Sequence, residues 1–420
     1  MIDEDSVSRS SGRPKAQDEA RGEADGATLP PPVIADTKTL EALCKRLAHA
    51  PFVAVATEFM RDATYWPRLC LVQLAGPGEA AIIDPMAKGI DLKPLLKLMA
   101  DSRVLKVFHA ARQDVEIFFH MAGDVPRPIF DTQVAAMVCG FGEQVSYETL
   151  VAHFAGARVD KSSRFTDWSH RPLTDRQLAY ALSDVTHLRL VHAGLAERLE
   201  KTGRETWLGE EMATLLDPAT YRLEPDEAWQ RLKPRGMSRN GLGVLKEISA
   251  WREREAQRRD LPRGRLVKDE ALLEIAASQP KRIEDLARIR ALPRGNADGP
   301  FGKALLEAVA RGLALPADEV PTLPDRPNLP RGLGPVVEVL KVLLKMTCET
   351  HHVAAKLVAS VADLERIAAG ESDVPALRGW RHEVFGKDAS ALLEGRLGLA
   401  VEGGQVRVVA HEATKRGRGA

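Results

Sequence analysis

The chain has 420 residues, too many for one compact core, so two or three domains are expected. Its 44% hydrophobic and 28% charged residues are typical of a globular protein, and no apolar run reaches the ~18 residues that a membrane span requires. The formal net charge is zero, so any binding of nucleic acid has to depend on local basic patches.

The first 30 residues have mixed charge and lack the apolar segment of a secretory signal. We therefore predict a disordered tail over residues 1–30. The cysteines Cys44, Cys70, Cys139 and Cys348 show no CxxC spacing. This favours reduced thiols in the cytoplasm over a disulfide framework or a zinc site.

Residues 31–205 alternate apolar strand runs with helical patterns, which predicts an α/β domain with a mixed sheet flanked by helices. Strands are predicted over "FVAVA", "RLCLVQLAG", "AAIID" and "RVLKVFH". Helices are predicted over "LKPLLKLMA", "ARQDVEIFFHMAG", "DTQVAAMVCG" and "SYETLVAHFAG". A long last helix begins after the capping residue Thr174.

Beyond the α/β domain the strand signals stop and helical patterns follow. We predict a helical domain over residues 222–315, a proline-rich linker over 316–334, a second helical domain over 335–400 and a tail over 401–420. The segment Trp229–Lys268 has twelve Lys or Arg against four Asp or Glu. Such a segment is able to bind a phosphate backbone; the alternative is a solvated helix face.

Three acidic residues lie where α/β folds gather functional groups. Glu58 is at the end of the first predicted strand, and Asp114 is in the first turn of the helix after the fourth strand. Asp184 follows Tyr180 by four residues, so both lie on one helical face. Carboxylate oxygens suit Mg²⁺ or Mn²⁺, and two such ions roughly 4 Å apart can promote hydrolysis of a phosphodiester. The alternatives are solvated helix termini for the acids and a core position for Tyr180.

These motifs, in this order and spacing, resemble those of the ribonuclease D family, 3′→5′ exonucleases of the DEDDy class with an RNase H-like fold. The family's first motif is Asp-Thr-Glu-Phe, and the chain has "ATEF" at residues 56–59. "HAARQDVEIF" resembles the second motif, and Tyr180 with Asp184 resembles the third. Residues 222–315 and 335–400 resemble the two helical HRDC-type domains of the family.

The resemblance implies hydrolysis of single-stranded RNA from its 3′ end, with release of 5′-mononucleotides, and tRNA precursors as substrates. It implies two divalent metal ions, Mg²⁺ or Mn²⁺. Glu58 and Asp184 are expected to bind the ion that activates water, and Asp114 to help hold the second ion. Tyr180 is expected to orient the attacking water. We expect a cytoplasmic monomer.

Substrate contacts are also implied by the resemblance. Thr57 and Phe59 flank the first motif and are expected to contact the terminal nucleotide. Lys161, in "DKSSRFTDW", is expected to contact a phosphate and is a better candidate than Arg164, because it matches the family pattern. Trp168 either stacks on a base or anchors this loop in the core.

Ala56 occupies the position at which the family has a metal-binding aspartate that contacts both ions. A methyl group cannot bind a cation, so we expect weak metal occupancy and a rate lower by about 10²–10³ or more. One explanation is an altered form of an active enzyme, which we favour because Glu58, Asp114, Tyr180 and Asp184 are all present. The other is a natural, non-hydrolytic RNA-binding pseudo-nuclease. A DNA-proofreading exonuclease is disfavoured since no polymerase region accompanies the domain.

Overall fold

The computed structural model describes residues 33–292, 294–323, 330 and 332–411. The predicted tail over residues 1–30, part of the predicted linker and the last residues of the predicted C-terminal tail lie outside the described residues. Among the helices of the described part, none is long and apolar enough to cross a membrane. All four cysteines are buried free thiols.

The N-terminal unit is an α/β unit, as predicted. Its elements are α1 (Thr37–Leu47), β1 (Phe52–Met60), β2 (Arg68–Ala75), β3 (Ala80–Ile83), α2 (Lys93–Ala100), β4 (Leu105–Phe108), α3 (Arg112–Ala122), β5 (Ile129–Asp131), α4 (Thr132–Val138), α5 (Tyr147–Ala155), α6 (Asp175–Thr202) and α7 (Glu205–Leu216). The sheet order is β3-β2-β1-β4-β5. β1 pairs antiparallel with β2 and parallel with β4, so the sheet is mixed.

Helices cover both faces of this sheet because β1 is apolar on both sides. One hydrophobic core lies between the sheet and α1 to α3 and includes Val53 and Val55. A second core lies between the opposite face and α4 to α7 and includes Ala54, with Ala56 packed at its edge. The period-2 alternation of a strand therefore places Ala56 on the α6 side of the sheet and Thr57 on the α3 side.

Two helical units follow in the chain. The first contains α8 (Arg239–Arg259), α9 (Arg263–Leu266), α10 (Asp269–Ser278), α11 (Ile283–Leu286), α12 (Arg294–Ala297) and α13 (Gly299–Ala314). The second contains α14 (Gly334–His351), α15 (Ala355–Val358), α16 (Val361–Ala368), α17 (Gly379–Arg381) and α18 (Lys387–Leu393), followed by β6 (Leu397–Glu402) and β7 (Gln405–Ala410). Each unit has its own hydrophobic core.

The β6–β7 hairpin corrects a prediction. The tail predicted from residue 401 is wrong for residues 401–410, because β7 pairs antiparallel with β6, which ends at Glu402. Gly403 and Gly404, both at positive φ (58° and 79°), form the two-residue turn. Two glycines between alternating apolar residues are a strong hairpin signal, because such turns need positive φ.

A cluster that we call the docking network joins the first helical unit to the N-terminal unit. The Tyr65 hydroxyl donates a hydrogen bond to the fully buried carboxylate of Glu253. Arg263 donates to both oxygens of the same carboxylate, at 2.6 Å from Nε and 2.5 Å from Nη2. Nearby, the backbone N–H groups of Tyr65 and Trp66 donate to Asp260 at 3.0 Å.

The second helical unit contacts α7 through stacked aromatic rings. The indoles of Trp207 and Trp380 lie 4.4 Å apart with an interplanar angle of 11°. Beside them Arg381 forms ion pairs with Glu210, at 3.2 Å, and with Glu211. Both helical units are thus fixed against the N-terminal unit by side chains from two different edges of it.

Candidate active site

The "ATEF" segment lies near the C-terminal end of β1, in the middle of the sheet. β1 continues to Met60, two residues beyond Glu58, and its pairing with β2 shifts between Glu58 and Phe59. Such an irregularity bends a strand and redirects its side chains. In this register Ala56 lies opposite Gln73 of β2 and Glu58 lies opposite Leu71.

Asp114 reaches the same region from α3 because the turn before that helix is held rigidly. The buried carboxylate of Asp131 accepts hydrogen bonds from the backbone N–H groups of Ala110, at 3.0 Å, and Ala111, at 2.8 Å. Ala110 has a φ of 57°, a conformation unfavourable for a residue with a side chain. The helix starts directly afterwards, with Asp114 in its first turn. Thr57 Oγ1 donates to Asp114 Oδ1 at 2.7 Å.

Asp184 and Tyr180 lie one turn apart on α6, as predicted. The helix begins with a capping box between Thr174 and Gln177, which fixes its start. Hydrogen bonding by Tyr180 lowers the pKa of Asp184, although burial outweighs this effect. The Tyr147 hydroxyl donates to the backbone oxygen of Asp184 at 2.7 Å, which ties α5 to α6 beside the site.

These elements enclose a cavity of about 290 Å³, which we call the acid cavity. Of the predicted site residues, the lining includes Ala56, Thr57, Phe59, Asp114 and Asp184. It also includes four residues with polar side chains outside the predicted set: His109, Gln113, Tyr147 and Arg164.

Three predicted residues do not line the acid cavity. Glu58 and Tyr180 lie beside it, close enough for their charges to influence Asp184 and one another. Lys161 forms an ion pair with Glu148, with 2.9 Å between Nζ and Oε1. The cation in the lining is therefore Arg164, which the sequence analysis ranked below Lys161.

The acids have little compensating charge. Burial raises the pKa of Glu58 to about 9, with repulsion from Asp184 and Asp114 adding to the rise and Arg164 opposing it. Burial raises the pKa of Asp114 to about 7, against the hydrogen bond from Thr57. Burial also raises the pKa of Asp184 to about 7. The three carboxyl groups are thus held close together in surroundings that disfavour their ionised forms, which is typical of a site that binds a cation.

A buried polar group opposite Ala56 also lacks a partner. The Gln73 side chain is fully buried, and neither its amide nitrogen nor its amide oxygen has a hydrogen-bond partner among the described residues. Directly opposed residues on antiparallel strands have their side chains on the same face, with Cβ atoms roughly 5 Å apart. A methyl group at position 56 offers the Gln73 amide nothing to bond, whereas an acid there would accept from its nitrogen.

The donor types therefore fit a divalent cation, but their number is small. Hard carboxylate oxygens converge from β1, α3 and α6, as Mg²⁺ or Mn²⁺ would require. Within the part of the chain that the structure describes, however, no group of three His, Cys, Asp or Glu side chains is arranged so that it could hold a metal ion. Ala56 lines the acid cavity beside these acids and offers no oxygen ligand.

Other residues of the site are structural. Trp168 is 2% exposed and packs in the core, so it anchors its loop. His109 Nδ1 lies 3.0 Å from Thr132 Oγ1 just after β4, in agreement with a hydrogen-bonding role at a strand end. Sequence reasoning missed Tyr147, because an aromatic residue in the first turn of an amphipathic helix gives no signal beyond core packing.

Comparisons with known proteins agree with this architecture. The 3′-5′ exonuclease family model matches residues 31–200, and the HRDC domain model matches residues 241–309. The chain is 53% identical to ribonuclease D of Gluconacetobacter diazotrophicus, over 91% of this chain and 98% of that protein. It is 52% identical to ribonuclease D of Granulibacter bethesdensis, over 90% of this chain and 96% of that protein. The crystal structure of Escherichia coli RNase D, an exoribonuclease involved in structured RNA processing, superimposes with a TM-score of 0.77 at 29% identity, covering 87% of this chain and 98% of that chain.

Proposed function

Because the chain belongs to the ribonuclease D family, we propose that it hydrolyses RNA from the 3′ end with divalent metal ions bound in the acid cavity, and that Ala56 strongly reduces this activity. The observation that carries the proposal is the convergence of the buried carboxyl groups of Glu58, Asp114 and Asp184 in and beside one cavity, where burial raises the pKa of each. Clusters of this kind are costly to the fold and are kept where a cation binds.

Glu58 and Asp184 would hold one ion, and Asp114 would help to hold a second. When bound, such ions activate water and stabilise the leaving 3′-oxygen of a phosphodiester. Thr57 fixes the orientation of Asp114 through its 2.7 Å hydrogen bond. Without a fourth acid, fewer carboxylate oxygens are present to bind two ions.

Other residues in or near the acid cavity are proposed to act on the attacking water or on the RNA. Tyr180 is placed beside Asp184, where its hydroxyl can orient the attacking water. Phe59 lines the acid cavity and can pack against the terminal base or sugar. Arg164 supplies positive charge for a phosphate. Lys161 stays a predicted phosphate contact. To reach a phosphate, its side chain would have to leave the ion pair with Glu148.

The substrates that we propose are single-stranded RNA 3′ ends, including those of tRNA precursors. E. coli RNase D is an exoribonuclease involved in structured RNA processing, and its structure superimposes on 87% of the present chain. A monomer in the cytoplasm, two metal ions per chain and the release of 5′-mononucleotides are parts of the same proposal. The second helical unit is proposed as a second HRDC-like domain.

The experiment is to assay Ala56→Asp and the chain as written on 3′-tailed RNA with Mg²⁺ or Mn²⁺. We expect nucleotide release to rise by about 10²–10³ in the variant, because one preorganised charged group is restored. The matched control adds Asp184→Asn to Ala56→Asp, which should abolish the gain. If Ala56→Asp binds the RNA but releases no nucleotide, the hydrolytic function is wrong. The second candidate, a non-hydrolytic RNA-binding protein, which Ala56 itself favours, would then replace it.

A further inference from the structure

One aromatic side chain beside the acid cavity is almost fully exposed to solvent. Phe165 is 90% exposed, more than any other large apolar residue in the described ranges, and it is the only aromatic among those that are exposed. The next is Val401, at 74%. Holding a phenyl ring in water forgoes the free energy that its burial would yield. A single exposed aliphatic residue needs no explanation, but an exposed ring at the rim of a site does.

The loop around Phe165 is anchored on both sides, so the exposure is imposed by the fold. Ser163 is 2% exposed, and its backbone oxygen accepts a hydrogen bond from Thr166 Oγ1 at 2.8 Å. Thr166 Oγ1 in turn accepts from Gln177 Nε2 of α6 at 3.1 Å. Trp168 is buried in the core. The backbone before and after Phe165 is therefore fixed, and it holds the ring in solvent.

Arg164 connects this ring to the acid cavity. It lines the cavity, and its charge lowers the pKa of Glu58. Its guanidinium carbon also lies 5.2 Å from the centroid of the Phe165 ring, a cation–π distance. The guanidinium covers one side of the ring, so a planar ligand has the opposite side to stack on.

We propose that Phe165 stacks on the base of the nucleotide immediately 5′ of the scissile phosphate, while Arg164 contacts a phosphate beside it. This inference rests on the proposed function. The acid cavity, at about 290 Å³, is at the small end of ligand pockets and suits one terminal nucleotide. The next base must then lie outside, at the rim where Phe165 is exposed. Stacking on an aromatic ring tolerates every base, as an enzyme that removes successive nucleotides requires.

The test measures binding without turnover, using the full chain in EDTA and a short single-stranded RNA. The probe has 2-aminopurine, whose fluorescence reports stacking, at the penultimate position. Loss of a stacked base corresponds to a dissociation constant raised about tenfold, so we expect this for Phe165→Ala, together with loss of the fluorescence change on binding. Phe165→Trp should keep both, and Phe165→Leu should lose the fluorescence change.

Val401→Ala is the matched control, since it removes an exposed apolar side chain from the distant β6–β7 hairpin. It should leave both readouts unchanged. If the unaltered chain binds no RNA either in EDTA or with Mg²⁺, the proposed function fails. If the chain binds RNA but Phe165→Ala has the same affinity and the same fluorescence change, this inference alone is overturned. A response of terminal 2-aminopurine instead of penultimate 2-aminopurine would overturn the assigned position of the base.

Discussion

The acid cavity and the docking network both bury carboxylates, but they balance the charge in different ways. In the docking network, Glu253 accepts hydrogen bonds from Tyr65 and from two nitrogens of the Arg263 guanidinium, and the pKa of Glu253 is lowered even though burial alone would raise it. Beside the acid cavity, burial raises the pKa of Glu58 to about 9, the two neighbouring acids add to the rise, and Arg164 opposes it.

The difference separates a structural site from a functional one. A buried ion pair with its hydrogen bonds satisfied fixes the geometry of a contact, and removing one partner leaves an uncompensated charge. A buried acid cluster whose charge is not balanced destabilises the fold on its own, so it is retained where a bound cation completes it. The chain thus places complete charge networks between its units and an incomplete one at the active site.

The largest effect is expected from breaking the docking network. Glu253→Ala leaves Arg263 without its partner and should lower the free energy of unfolding by about 3–5 kcal/mol. Chemical denaturation followed by fluorescence measures the loss. Glu255→Ala is the matched control on the same helix, because Glu255 pairs with Arg258 and Arg259 at the surface and should cost about 1 kcal/mol or less. Equal costs for both variants would remove the contrast between the sites.

A smaller effect on stability is expected at the acid cavity without metal, and its dependence on pH is opposite to that of the docking network. The pKa of Glu58 is higher in the fold, about 9, than its ordinary 4.5, so the fold binds the extra proton and loses stability as pH rises between these values. Glu253, whose pKa is lowered, contributes stability above its ordinary pKa and loses it as pH falls. In EDTA, the unaltered chain should lose at least ~1 kcal/mol between about pH 6 and about pH 9.

Glu58→Gln removes the titrating group while keeping its shape. We expect its unfolding free energy to change clearly less over the same pH range, measured by urea denaturation at each pH. Parallel curves for Glu58→Gln and the unaltered chain would show that Glu58 is not held protonated, and the charge contrast between the two sites would lose its basis.

Much of the fold could be predicted from the sequence because the signals are local. The strand runs, the cap at Thr174 and the change from strand to helix patterns each follow from short-range chemistry. The predicted family, fold class and enzyme class of a ribonuclease D-type exoribonuclease are confirmed, with one HRDC domain matched. The β6–β7 hairpin was missed although Gly403 and Gly404 mark it. β5 was also missed, because a strand of three residues gives little alternation to detect.

The site was predictable only in part. The predicted catalytic residues come from three distant segments of the chain: Glu58, Asp114, and Tyr180 with Asp184. Periodicity alone could not indicate that these segments meet, whereas the order of the motifs led to that prediction. Contacts that depend on the tertiary fold could not be predicted from local sequence patterns. The orphaned amide of Gln73 depends on strand register, and the place of Arg164 in the lining depends on how its loop turns.

The most direct test of the central claim is a calorimetric titration of Mg²⁺ and of Mn²⁺ into the unaltered chain and into Ala56→Asp. The account predicts weak or incomplete binding by the unaltered chain, and two ions bound at least about tenfold more tightly once the acid at position 56 completes the cavity. Tight binding of two ions by the chain with Ala56, or no gain in Ala56→Asp, would contradict it.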